Sequence, residues 1–145
     1  MRILAIDPGT DQSGWVIYEG RAVLDKGVSD NETMLSILRE QKGRCDLLAV
    51  EMIASYGMAV GREVFETCVF IGRLLEAWNG KHRMVYRQEV KLHMCKSPRA
   101  KDANVRQALI DMLGAPGSKK NPGPTFGVSS HAWQALGVAV TAAET

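Results

Sequence analysis

The chain has 145 residues, 46% of them apolar and 23% charged, with 18 Lys and Arg against 16 Asp and Glu. These proportions belong to a folded domain with its own core and exclude a disordered tail, a collagen or a coiled coil. No apolar run reaches the length of a membrane span, the start of the chain lacks a signal-peptide pattern, and Cys45, Cys68 and Cys95 suggest neither a disulfide framework nor a structural zinc site, so a single domain over residues 1–145 in a reducing, cytoplasmic compartment is expected.

In chain order, the Ile- and Leu-rich stretch Arg2–Asp7 predicts a buried strand that stops at the turn Asp7-Pro8-Gly9-Thr10, where Pro presets φ and Gly accepts a positive one. Ser13–Tyr18 and Arg21–Val28 predict two further strands joined tightly through Glu19-Gly20, so the sheet opens with an antiparallel hairpin. Thr33–Gln41 predicts a short helix with Asn31 as its cap, and the apolar run Asp46–Met52 a strand buried on both faces. A long helix is expected from Met58 to Trp78, with Val60, Val64, Cys68, Ile71, Leu75 and Trp78 on one face. Phe65, Val69 and Leu74 widen its apolar arc beyond one sheet contact, so this helix is either deeply enclosed or packed against another chain.

Arg83–Tyr86 predicts another strand, Glu89–Met94 a short helix and Lys101–Leu113 a clear one. Ala115–Gly127, rich in Pro and Gly, predicts a mobile basic loop. A last helix runs from a Ser129 or Ser130 cap to about Ala143, its small residues allowing close approach to the sheet. Trp15, Trp78 and Trp133 are expected in the core. This order of elements predicts an α+β, or mixed α/β, plan around one sheet.

The net charge of +2 conceals a division. Between Lys81 and Lys120 stand ten basic residues and only Glu89, Asp102 and Asp111 as acids, which leaves the rest of the chain acidic. Such a segment is either a polyanion-binding face, because neutralising phosphates releases counterions, or an ordinary solvated surface. Two predicted strands also end in carboxylates, Asp7 after Leu4-Ala5-Ile6 and Glu51 after Leu48-Ala49-Val50. An acid at the end of a buried strand is costly unless paired, hydrogen-bonded or holding a cation. If the strands are neighbours, the two carboxylates outline a site for Mg²⁺ or Mn²⁺. The pattern leaves a second reading open, in which Asp7 closes its turn and Glu51 pairs with a basic side chain.

Ile3-Leu4-Ala5-Ile6-Asp7-Pro8-Gly9-Thr10 with Ser13-Gly14-Trp15, then Ala49-Val50-Glu51, then Tyr86–Lys91 with Ala100-Lys101, then His131–Ala139 occur in order along nearly the whole chain. Together they resemble the RuvC-type Holliday junction resolvases of the RNase H-like superfamily, most closely the short resolvases encoded by bacteriophages. The resemblance implies an RNase H-like fold with a central mixed five-stranded sheet and helices on both faces. It also implies a homodimeric crossover junction endonuclease that resolves four-way DNA junctions by paired, metal-dependent phosphodiester hydrolysis, with one or two Mg²⁺ or Mn²⁺ ions per subunit and no small-molecule cofactor or membrane partner.

Carried onto this chain, Asp7 and Glu51 correspond to metal ligands. The last helix of the family usually offers one or two carboxylates where this chain has His131 and Gln134. His131 then has three readings: a ligand better suited to Mn²⁺ than to Mg²⁺, a general acid or base, or a plain polar residue at a helix start. Gln134 is expected behind the ligands, as a hydrogen-bond partner. Lys101 would stabilise charge developing on the phosphate, and Arg87, Lys91, Lys96, Arg99, Lys119 and Lys120 would hold DNA; each lysine is alternatively an ordinary surface charge. Tyr56 falls where the family carries a loop that wedges between base pairs, or is a partly buried tyrosine bonded to backbone. Three other functions compete: a nuclease for flaps, forks or RNA, a junction-binding protein without catalysis, and a sugar-kinase or actin-type ATPase, against which the length argues because that architecture needs two such domains.

Overall fold

The computed structural model describes all 145 residues. Strands β1 (Ile3–Asp7), β2 (Gln12–Glu19), β3 (Ala22–Asp30), β4 (Leu47–Met52) and β5 (His82–Tyr86) form one sheet in the order β3-β2-β1-β4-β5. The first three run antiparallel as a meander, whereas β4 pairs parallel with both β1 and β5. Parallel pairing requires a crossover between strands, supplied by α1 (Asn31–Gln41) before β4 and α2 (Arg62–Trp78) before β5. Helices α3 (Arg87–Cys95), α4 (Asp102–Leu113) and α5 (His131–Glu144) follow. No helix is long and apolar enough to cross a membrane.

Strand alternation divides the core in two. Leu4, Ile6, Leu48 and Val50 meet Met34, Leu35 and Leu38 of α1 and Phe70, Ile71 and Leu74 of α2. Ile3, Ala5, Leu47 and Ala49 meet α5 through Ala132, Ala135, Leu136 and Ala139, with Val90 of α3 and Val105 and Leu109 of α4 behind. The mixed five-stranded sheet with helices on both faces is therefore present. Asp7 and Glu51 continue the second of these alternations and face the α5 side. All three tryptophans are buried, as expected.

Several boundaries differ from the sequence-based expectation. Asp30, not Asn31, caps α1, its carboxylate accepting from Thr33 N–H at 3.0 Å. Asn31 instead pins the β1–β2 turn, donating to the carbonyls of Gly9 and Thr10 and accepting from Ser13 Oγ at 2.8 Å. Helix α2 starts at Arg62 rather than Met58, because Tyr56 and Gly57 both take positive φ and Gly61 is extended. Its buried face is Thr67, Phe70, Ile71, Leu74 and Trp78, while Phe65 and Val69 remain 61% and 67% exposed, so the widened arc is not enclosed within this chain. Helix α3 begins two residues before its predicted start, at Arg87. The Ala115–Gly127 loop, expected to be mobile, is closed by a Gly117–Pro122 bridge and by fully buried Thr125, whose hydroxyl donates to the Gly114 carbonyl at 2.8 Å. Ser130 precedes α5, but its side chain makes no capping hydrogen bond.

Candidate active site

The register of β1 on β4 sets Ile6 beside Val50, so the next residue on each strand, Asp7 and Glu51, meet at the same edge of the sheet. Both are nearly buried, at 7% and 6% exposure. The first residue of α5 reaches them from above: His131 Nδ1 lies 3.0 Å from Asp7 Oδ2, with one proton between the two atoms. From the other side Arg87, at the start of α3, donates through Nε to Glu51 Oε1 at 2.9 Å and sets Nη2 3.5 Å from Oε2. Its Nη1 stands 3.8 Å from Asp102, which Lys91 also approaches at 4.0 Å. Asp7, Glu51, Arg87, His131 and Tyr56 all line one open cleft of about 330 Å³.

The two carboxylates do not share this position easily. Burial first, and then the adjoining Glu51 as hydrogen-bond partner and like charge, push the Asp7 carboxyl up to about 9, against the opposing pull of Arg87. Without further positive charge the pair therefore retains a proton at neutral pH. A divalent cation would supply that charge, and two carboxylates with an imidazole are oxygen and nitrogen donors suited to Mn²⁺, or to Mg²⁺ with water completing its shell. The three side chains are not gathered into a ready ligand cage: no group of three or more His, Cys, Asp or Glu side chains in the structure is arranged to hold an ion. Glu51 is instead paired with a basic side chain, the second reading that its sequence position left open.

The expected site residues separate into two sets. Asp7, Glu51, His131, Arg87 and Tyr56 come together, and Lys91 adjoins them through Asp102. Tyr56 is 52% exposed at the tip of the β4–α2 loop, not buried against backbone. Gln134 is half-buried one turn along α5 and does not line the cleft. Lys101 is the exposed residue that precedes α4, where its N–H donates to the Asn104 side-chain oxygen at 2.9 Å; it does not line the cleft either. Lys96 and Arg99 are exposed between α3 and α4, and Lys119 and Lys120 are exposed within the α4–α5 loop.

Two contributors escaped the sequence. Asp102 appears there only as one of three acids in a basic stretch, yet it holds the outer side of Arg87. Gly14 faces the first turn of α5: a Cβ at that position would collide with the backbone of His131 and Ala132. Only a glycine opposite Asp7 lets the helix start lie flat on the sheet, and this close approach sets His131 over the carboxylates.

No family model matches the sequence, and no curated protein matches it. Solved structures do match the fold. Thermus thermophilus RuvC is 19% identical over 99% of this chain and 93% of its own, with a TM-score of 0.70. The structure described as T. thermophilus RuvC in complex with Holliday junction substrate is 20% identical over 99% and 92%, with a TM-score of 0.74. The chain thus has the fold of RuvC over 99% of its length.

Proposed function

We propose that this protein is a divalent-metal-dependent endonuclease that cuts four-way DNA junctions by paired phosphodiester hydrolysis. The observation that carries this reading is the meeting of Asp7, Glu51 and His131 in one open cleft, on a fold shared with a protein whose structure holds a Holliday junction. In the proposal Asp7, Glu51 and His131 hold the metal, and Gln134 lies behind them as a positioning group. A cation held by these side chains would supply Lewis-acid chemistry, lowering the pKa of a water nucleophile and balancing charge on the phosphate. Two carboxylates balance the charge of one divalent ion, so the donor set suits one ion better than two.

The chain's own groups would supply the rest. Arg87, Lys91, Lys96, Arg99, Lys101, Lys119 and Lys120 neutralise phosphates and give most of the affinity. Lys101 reaches the reacting phosphate once DNA is seated, and Tyr56 stacks on a base at the crossover. Paired cuts need two sites related by a two-fold axis. The exposed Phe65 and Val69 of α2, beside a groove in which Leu35 and Ala77 are flanked by Arg39, Arg73 and Glu76, form the surface on which we place the second copy.

The test incubates a labelled four-way junction, a fork and a linear duplex separately with Mg²⁺ and Mn²⁺. Symmetric nicks confined to the junction are expected, and Val69→Asp should yield monomers that cut one strand only. Preferential cutting of the fork would make this a branched-DNA nuclease of another kind; tight junction binding without cutting would favour a non-catalytic binder, the reading to which the missing acidic pair at His131 and Gln134 points.

The raised Asp7 carboxyl gives an independent expectation. Because the acid keeps its proton below about pH 9, ion binding must displace it. Calorimetry in two buffers of different ionisation heat should then show about one proton released per Mn²⁺, with affinity rising from pH 6 to pH 8. Binding without proton release would show that Asp7 is ionised before the metal arrives.

A further inference from the structure

We infer that Arg87 is an internal counter-ion that occupies Glu51 until a divalent cation replaces it, and that loading the site frees its guanidinium for a DNA phosphate. The inference rests on the metal-site reading above and deepens it. Glu51 is 6% exposed and therefore needs a positive partner whenever it is ionised. Arg87 supplies one through Nε at 2.9 Å, with Nη2 3.5 Å from the other carboxylate oxygen. A fork placed across both oxygens uses the lone pairs that a cation bound at Glu51 would need, and its charge repels an ion bound there.

The same side chain is built to leave. It is 40% exposed and is anchored in the first turn of α3, so it can rotate without disturbing the helix. Its outer edge faces Asp102, which is 47% exposed and shared with Lys91, and which provides a resting partner on the basic side of the cleft. Once two carboxylates are balanced by one divalent ion, the charge of Arg87 is surplus at the site, and one phosphate oxygen of bound DNA matches it. Cation loading and phosphate binding are then coupled through one residue, and each favours the other.

The experiment measures Mn²⁺ affinity by electron paramagnetic resonance, without DNA, for the wild type, Arg87→Gln, Arg87→Lys and Lys91→Gln. Arg87→Gln is expected to bind Mn²⁺ about tenfold more tightly, and Arg87→Lys, which keeps the charge but loses the fork, to gain part of that. Lys91→Gln removes a neighbouring charge that does not touch Glu51 and should stay within about twofold. Unchanged affinity in both Arg87 variants, or an equal gain in Lys91→Gln, overturns the inference while leaving the metal site standing. No Mn²⁺ binding by any of the four overturns both. A second readout is junction affinity with Ca²⁺ or with chelator. Arg87→Gln should weaken binding at least about threefold more with Ca²⁺, and an equal loss in the two conditions overturns the release step.

Discussion

Asp7→Asn is expected to lower the rate of junction cleavage by about a thousandfold or more while leaving junction affinity within about threefold of the wild type. The amide keeps the size of the carboxyl and its contact with His131, but it is a neutral and weaker metal donor than a carboxylate. Junction affinity, by contrast, comes from phosphate contacts made by the basic segment, and the loss of a negative charge from the cleft does not oppose them. Rates measured under single-turnover conditions with Mn²⁺, beside binding measured in chelator, where Arg87 stays on Glu51 in both proteins, separate the two effects. Cutting by Asp7→Asn at the wild-type rate would remove the carboxylate from the chemistry.

The same substitution should reveal the strain of the metal-free site. Asp7 is raised to about 9 in the folded protein, whereas an unfolded aspartate titrates near about 4. Between those values the folded state holds the extra proton. The contribution of Asp7 to stability is therefore complete below about pH 4 and is lost as pH rises through about 9. Asparagine has no such titration. In chelator, Asp7→Asn should melt above the wild type, with a wider gap at pH 8 than at pH 5, and Mn²⁺ should raise only the wild type strongly.

The two acids were legible in the sequence because each ends an uninterrupted apolar run, and such a run reads as a buried strand whichever fold contains it. Their meeting was legible only as a condition, since nothing local to Leu4-Ala5-Ile6 or Leu48-Ala49-Val50 says that the strands are neighbours. The start of α2 was misplaced for a related reason: Met58 and Val60 satisfy the helical period, but the positive φ of Tyr56 and Gly57 and the extended Gly61 hold that stretch outside the helix. Thr67 and Phe70 were absent from the expected face because the apolar letters of α2 cover both its buried and its open sides. The loop before α5 looked mobile by its Pro and Gly content, yet its order comes from the burial of Thr125, a single residue of no distinctive type. Arg87 sits 36 residues from Glu51, and in a stretch with ten basic residues no pattern singles it out.

Gly14 shows the same limit at the position where a small change should do most harm to the fold. Gly14→Ala is expected to destabilise the protein by roughly 3 kcal/mol, lowering the melting temperature by about 5–10 °C. The added methyl would meet the His131 carbonyl carbon and oxygen and the Ala132 nitrogen. These are backbone atoms, so no rotamer change relieves the clash and either β2 or the start of α5 must move. Helix α5 is buried along Ala132, Trp133 and every position from Ala135 to Thr141, which resists translation of the whole helix. Its first turn is freer, because His131 is exposed and no side chain caps it. The strain should therefore be relieved by lifting that turn, which draws His131 away from Asp7 and ends the 3.0 Å contact. A melting curve alone would not separate this from ordinary overpacking. Mn²⁺ affinity measured well below the melting transition does: a lifted first turn weakens it, whereas a shift absorbed by β2 lowers the melting temperature and leaves the affinity unchanged.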